Sequence, residues 1–177
     1  MKNKLFTIVA VALLAGPAAA YAGFLGQSVE ATAFFPALPP GSTTNGGPKT
    51  AVVGAGIEFA NGDFTPFFGP SFDFADTSIT ITHGATGHQS GTFNGYQFFD
   101  INSTIDAISS VSILSDTTGF FSGDPGRITW DANHIWINFE SLFFSANNPT
   151  IVLGVQFGSV PEPGTLALLG LGLAGLG

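Results

Sequence analysis

The chain has 177 residues, with four Lys or Arg against twelve Asp or Glu and a formal net charge of −8. So little positive charge cannot neutralise a run of phosphates, which excludes nucleic acid and acidic lipid headgroups as partners. No cysteine is present, which removes disulfide staples, thiolate metal sites and thiol nucleophiles together.

At the start of the chain, Lys2 and Lys4 precede an apolar run from Leu5 to Leu14, followed by Gly16-Pro17 and small residues. Ala20-Tyr21-Ala22 fits the small-x-small site of a signal peptidase, so residues 1–22 are expected to be a signal peptide removed at Ala22. The apolar run is short for the roughly 20 residues of a retained membrane span. Once the signal is gone, Lys49 and Arg127 stand against nearly all the carboxylates. Such an acidic coat keeps an exported protein soluble and attracts divalent cations weakly.

Residues 23–159 are long enough for one domain with its own core. Nineteen Phe and 24 Gly, in short alternating runs broken by Gly, Pro, Asn and Asp, give a strand-and-turn pattern. The first run, 29–35, puts Val29, Ala31, Ala33 and Phe35 on one face. Residues 36–48 form a Pro/Gly/Thr/Asn stretch expected to hold no ladder. A second run, 50–60, sets Ile57 and Phe59 against Glu58 and ends at Asn61-Gly62, a favoured hairpin turn. Residues 64–70, broken by Pro66, Gly69 and Pro70, read as a loop or edge piece. Over 71–82, Phe72, Phe74, Ile79 and Ile81 alternate with Asp73, Thr80 and Thr82.

A polar turn region, 84–91, leads to a run over 92–100 with a second Asn-Gly at Asn94-Gly95 and with Tyr96, Phe98 and Asp100 on one face. Residues 105–114 offer Val111 and Ile113, and a Gly/Asp/Pro loop covers 116–126. Adjacent strands over 127–131 and 134–139 follow, and 150–157 closes the domain with Ile151, Leu153, Val155 and Phe157. About eight short strands at regular spacing predict an all-β fold, an antiparallel β-sandwich or jelly roll.

His83 and His88 could share a metal, but a loop gives their rings no reason to converge, and they read as solvated, as does His134 beside a strand. Asp73, Asp76 and Asp124 are hard-oxygen ligands of the kind calcium takes, yet no Asp-x-Asp-x-Asp-Gly loop frames them. No Gly-x-Ser-x-Gly elbow and no His-Glu-x-x-His occurs, since in Gly87-His88-Gln89-Ser90-Gly91 the serine stands one place late. No cofactor and no catalytic residue is therefore expected. Trp136 alternates against Ile135 and Ile137, which makes it, with Tyr96, the candidate platform for stacking a sugar. Trp130 shares a face with Ile128 and is assigned to the core.

Near the end, Val160-Pro161-Glu162-Pro163-Gly164-Thr165 is followed by a Leu/Ala/Gly run. Residues 160–177 resemble the PEP-CTERM sorting signal, with Pro161, Glu162 and Pro163 as its motif triplet. The resemblance implies processing by exosortase, a membrane-embedded enzyme, in a Gram-negative host that makes exopolysaccharide and biofilm. It further implies a C-terminal apolar helix that anchors the chain transiently, then delivery to the outer surface or extracellular matrix. Two prolines around a glutamate suit that role, because they keep the site extended and open. The family pattern continues into a longer helix and a basic cluster. Here thirteen residues follow Gly164, about 20 Å of helix against a bilayer core of roughly 30 Å, so the tail reads as truncated. Phe72-Asp73-Phe74 and the stretches 91–96 and 130–139 also resemble β-rich ectodomains found ahead of such tails, which transfers no activity. The sequence thus predicts a non-enzymatic exported surface or matrix protein. A carbohydrate-binding module, with or without calcium, is the alternative, and a secreted hydrolase is the third reading.

Overall fold

The computed structural model describes residues 23–41, 43–64, 69–145 and 148–158. Eleven strands run through them: β1 Ser28–Phe35, β2 Thr43–Val52, β3 Ser71–Ala75, β4 Ser78–Thr82, β5 Thr86–Gly87, β6 Gly95–Asp100, β7 Ile108–Asp116, β8 Ile128–Trp130, β9 His134–Asn138, β10 Phe143–Phe144 and β11 Thr150–Phe157. One helical turn, α1 Phe120–Gly123, and a 3-10 turn over Pro125–Arg127 interrupt them. The strands form a five-stranded sheet, β2-β1-β6-β9-β8, a four-stranded sheet, β3-β4-β11-β7, and a small ribbon of β5 with β10. Every pairing is antiparallel.

The two large sheets face each other across one core, as alternation requires of a sheet with one dry face. Val29, Ala31, Tyr96, Phe98, Ile135 and Ile137 come from the five-stranded sheet, and Phe72, Phe74, Ile79, Ile81, Ile151 and Leu153 from the other; all are buried. The Phe72 ring centre lies 4.8 Å from that of Phe98 and 4.9 Å from that of Tyr96, so rings of one layer meet those of the other edge to face. Burying each such ring contributes about 1.5–3 kcal/mol, and each ring pair about 0.5–1.5 kcal/mol more. Phe24 closes one end of the core against Phe74 and Phe157.

Several sequence expectations change. Residues 71–82 are a hairpin of two strands, β3 and β4, turning at Asp76-Thr77. The buried positions switch from even numbers (Phe72, Phe74) to odd ones (Ile79, Ile81), a change of phase that one unbroken strand cannot make. The stretch 36–48 is not ladder-free, because β2 begins at Thr43 and pairs with β1. Pro48 is accommodated because β2 is an edge strand and its register with β1 breaks twice.

Residues 50–60 are not one strand either, since β2 ends at Val52. Ile57 is exposed while Phe59 is buried, and Phe59 bridges to Phe72. The Glu58 carboxylate ties this segment down by accepting from the Gly54 N–H at 2.9 Å and the Phe74 N–H at 2.7 Å. Asn61-Gly62 does turn the chain, with the Asp63 N–H donating to the Ala60 carbonyl at 3.1 Å. Of its central pair Gly62 alone has positive φ, +94°, which is the type II pattern and not that of a tight hairpin. Asn94-Gly95 is no turn: Gly95 opens β6, and a Cβ there would meet the Ile137 carbonyl oxygen at 1.9 Å.

The loop over 116–126 is organised by Asp116. Its carboxylate accepts from the amides of Thr118, Gly119, Phe121 and Ser122 and from the hydroxyls of Thr118 and Ser122. Burial alone would raise its pKa, but these bonds outweigh it and bring the carboxyl down to about 2. That anchoring starts α1 and sinks Phe121 into the core.

Candidate functional site

The outward face of the five-stranded sheet carries one candidate platform. In β9, Ile135 and Ile137 point into the core and Trp136 points away, half-buried, as the alternation predicts. The register sets Trp136 beside Gln97 of β6 and Thr129 of β8, and His134 opposite Phe99. Phe99, His134 and Trp136 stack as nearly parallel rings, with centres 4.7 Å and 5.0 Å apart and 17° between planes at each step. The Asp131 carboxylate faces His134 Nδ1 at 2.9 Å and also accepts the amides of Asn133 and His134. Burial alone would raise the Asp131 pKa, but those amides and the His134 ring hold it below the usual range. Phe99 and His134 were not singled out for this face. Their opposite placement depends on the β6–β9 register, which no single strand's pattern reveals.

Two aromatic assignments fail. Tyr96 is 4 % exposed and packs its ring on Phe64, Phe72 and Phe139. It offers no face to a sugar, and burial pushes its phenol pKa up. Trp130 is 41 % exposed. It pairs with Ile135 and so keeps the inward side predicted for it. Its strand, however, is the outermost of its sheet, where an inward side chain reaches solvent.

The second cluster lies inside the fold. His83 and His88 are not solvated: His83 is fully buried, and its Nε2 lies 2.8 Å from that of His88. The backbone brings them together, since the His83 amide donates to the Pro149 carbonyl at 3.0 Å and the His88 amide to the Leu142 carbonyl at 2.8 Å. Aromatic rings enclose the pair, His83 lying flat on Phe144 at 3.9 Å and His88 on Phe139 at 5.1 Å. Burial pushes the His83 pKa down to about 4, against a backbone bond to Gly84 that raises it, with His88 lowering it further. Burial also lowers the His88 pKa, opposed by Asn94. Nothing in the linear spacing places Phe139 or Phe144 against these two histidines.

The acidic candidates stay apart in role. Asp73 pairs with Thr80 between β3 and β4, Asp76 occupies the turn after β3 and accepts from the Leu25 amide at 3.4 Å, and Asp124 pairs with Arg127 at 3.3 Å. Among the described residues no three His, Cys, Asp or Glu converge as a metal would need. The His88 ring nitrogens face His83 and Asn94, not Ser90.

Ala20, Ala22, Pro161, Glu162, Pro163 and the expected C-terminal apolar helix lie outside the described residues. The described part ends just after β11, an interior strand of its sheet, where the Gly158 amide donates to the Ala107 carbonyl at 2.7 Å. Among the described residues no helix is long and apolar enough to cross a membrane. No curated protein and no solved structure matches the chain. Residues 159–177 match the PEP-CTERM protein-sorting motif, which begins two residues after β11 ends; the chain carries the sorting segment of an exosortase substrate.

Proposed function

We propose that this protein is a non-catalytic surface domain, exported through the inner membrane and handed by exosortase to the outer surface or the exopolysaccharide matrix. The observation that carries the reading is the join between fold and motif. The last core strand ends at Phe157 and the sorting motif starts at residue 159, so a cut at Pro161–Gly164 would spare every described strand. Mass spectrometry of the protein from a host that has an exosortase should find chains ending between Pro161 and Gly164. Recovery of intact chains alone, still carrying the Leu/Ala/Gly tail, would sink the sorting route.

A second reading has its own support. Trp136 stands on the sheet face opposite the core and is flanked by Gln97 and Thr129. An aromatic ring beside hydrogen-bonding side chains is what a neutral sugar needs. In this reading the domain is a carbohydrate-binding module that holds matrix polysaccharide through the Trp136 face. A polysaccharide pull-down with and without calcium should retain the natural domain and lose the Trp136→Ala variant. Equal retention of both would remove the reading, and calcium-dependent retention would add a metal to it.

A further inference from the structure

The hydrogen-bond pattern around His83 and His88 determines which ring nitrogens carry protons. His83 Nδ1 lies 2.9 Å from the Gly84 carbonyl, a group that only accepts, so Nδ1 bears the hydrogen and Nε2 keeps its lone pair. The 2.8 Å contact between the two Nε2 atoms then requires His88 to donate from Nε2. That leaves a lone pair on His88 Nδ1, which faces Asn94 Oδ1 at 3.4 Å. The Asn94 amide cannot turn over to relieve this, because its Nδ2 donates to the Gln89 carbonyl at 3.0 Å. The neutral pair therefore ends in two acceptors facing one another, one proton short of a complete chain.

We propose that His83 and His88 form a built-in acceptor for a single proton, which enters at His88 Nδ1 and completes the chain Gly84–His83–His88–Asn94. The resulting imidazolium has an acceptor on each side and lies over the face of Phe139, a favourable seat for a cation. A second proton has no such place. It would have to sit on His83 Nε2, opposite the His88 Nε2–H, and two donors at that distance repel. The first proton leaves the fold intact, whereas the second breaks the pair and loosens the corner where Phe139 and Phe144 pack. The device thus senses acidity in two separate steps.

Neighbouring charges do not account for this behaviour. Among the described residues, the hydrogen bonds and ring contacts of the two imidazoles involve, besides each other, Gly84, Asn94, Phe139 and Phe144 and no carboxylate, lysine or arginine. Beside Phe139, the Glu140 side chain is held by the Ser141 hydroxyl, and Arg127 reaches the Asn138 and Glu140 carbonyls and Asp124. Tyr96, also packed on Phe139, is a buried phenol that stays neutral throughout.

Nitrogen-detected NMR of the imidazole rings over an acid titration tests the proposal on the whole domain. At neutral pH His83 should be the Nδ1–H tautomer and His88 the Nε2–H tautomer. On acidification His88 should take its proton first while the contacts of the two rings with Phe139 and Phe144 persist, and those contacts should be lost only at a lower, second step. Asn94→Asp, which sets a carboxylate against His88 Nδ1, should raise the His88 midpoint by about one unit or more. Finding the other tautomers, or one common midpoint for both rings, overturns the proposal. So does an Asn94→Asp variant that folds and leaves the His88 midpoint in place. If that variant does not fold, the tautomers of the natural protein decide.

Discussion

Two stacks of rings in this protein contain histidine, and they differ in what surrounds them. Inside, His83 and His88 lie against Phe144 and Phe139, and their hydrogen bonds go to each other, a backbone carbonyl and an amide. Outside, His134 lies between Phe99 and Trp136 on a sheet face, and its partner is the exposed carboxylate of Asp131. The same ring serves opposite purposes. The inner pair fills the core and takes up its proton only in acid, because desolvation penalises the imidazolium and its partners are all neutral. The outer ring keeps water and the Asp131 carboxylate within reach.

Truncating one ring from each stack gives the largest difference. Phe144 is 1 % exposed and forms the floor under His83, so Phe144→Ala should destabilise the domain by about 3–5 kcal/mol. Trp136 is half-buried on the outward face, and Trp136→Ala should cost about 1 kcal/mol. Denaturant unfolding of both variants measures the gap. Equal losses would mean that the outer stack is as structural as the inner one, and the glycan reading would then lose its free surface.

Acid should separate the stacks next. The unfolded chain binds a proton on each histidine near pH 6.5, while folded His83 waits until about pH 4. Between those values the unfolded state holds more protons, so stability falls as pH drops from 6.5 to 4 and is complete above 6.5. The His83 shift corresponds to about 3 kcal/mol, and His88, also lowered, adds in the same direction. Unfolding measured at intervals across this window should show the decline. A flat profile there would mean that the inner pair takes up protons as readily when folded as when unfolded.

What the sequence made legible follows from how local each signal is. Alternation within a single strand identified β1, β6, β9 and β11 and correctly turned Trp136 away from Ile135 and Ile137, because that pattern needs no partner strand. The change of phase between Phe74 and Ile79 contained the β3–β4 turn, but Asp76-Thr77 lacks the glycine that marks most two-residue turns. Contacts between distant segments were not legible. The amides of His83 and His88 are held by Pro149 and Leu142, more than fifty residues further on, so no local spacing could bring the two rings together. Trp130 shows the remaining gap: its side of the sheet was correct, but its exposure depends on β8 being an edge, which is a property of strand order.

The smallest expected effect sharpens the comparison at its outer end. Asp131 accepts the amides of Asn133 and His134 and faces the His134 ring. It thereby closes the β8–β9 turn and holds the His134 ring beside it. Its side chain is 54 % exposed, so solvent and salt screen the pair. Asp131→Asn keeps an oxygen for the amides and removes the charge, and it should cost no more than about 1 kcal/mol. What loss there is should be present at neutral pH, fade in acid as the natural carboxylate itself takes up a proton, and shrink in high salt. A urea midpoint compared at neutral pH and below the usual carboxylate range, with and without salt, reads all three. A large, salt-independent loss would place Asp131 with the buried network, and the distinction between an inner stack bounded by neutral groups and an outer one beside a solvated carboxylate would no longer hold.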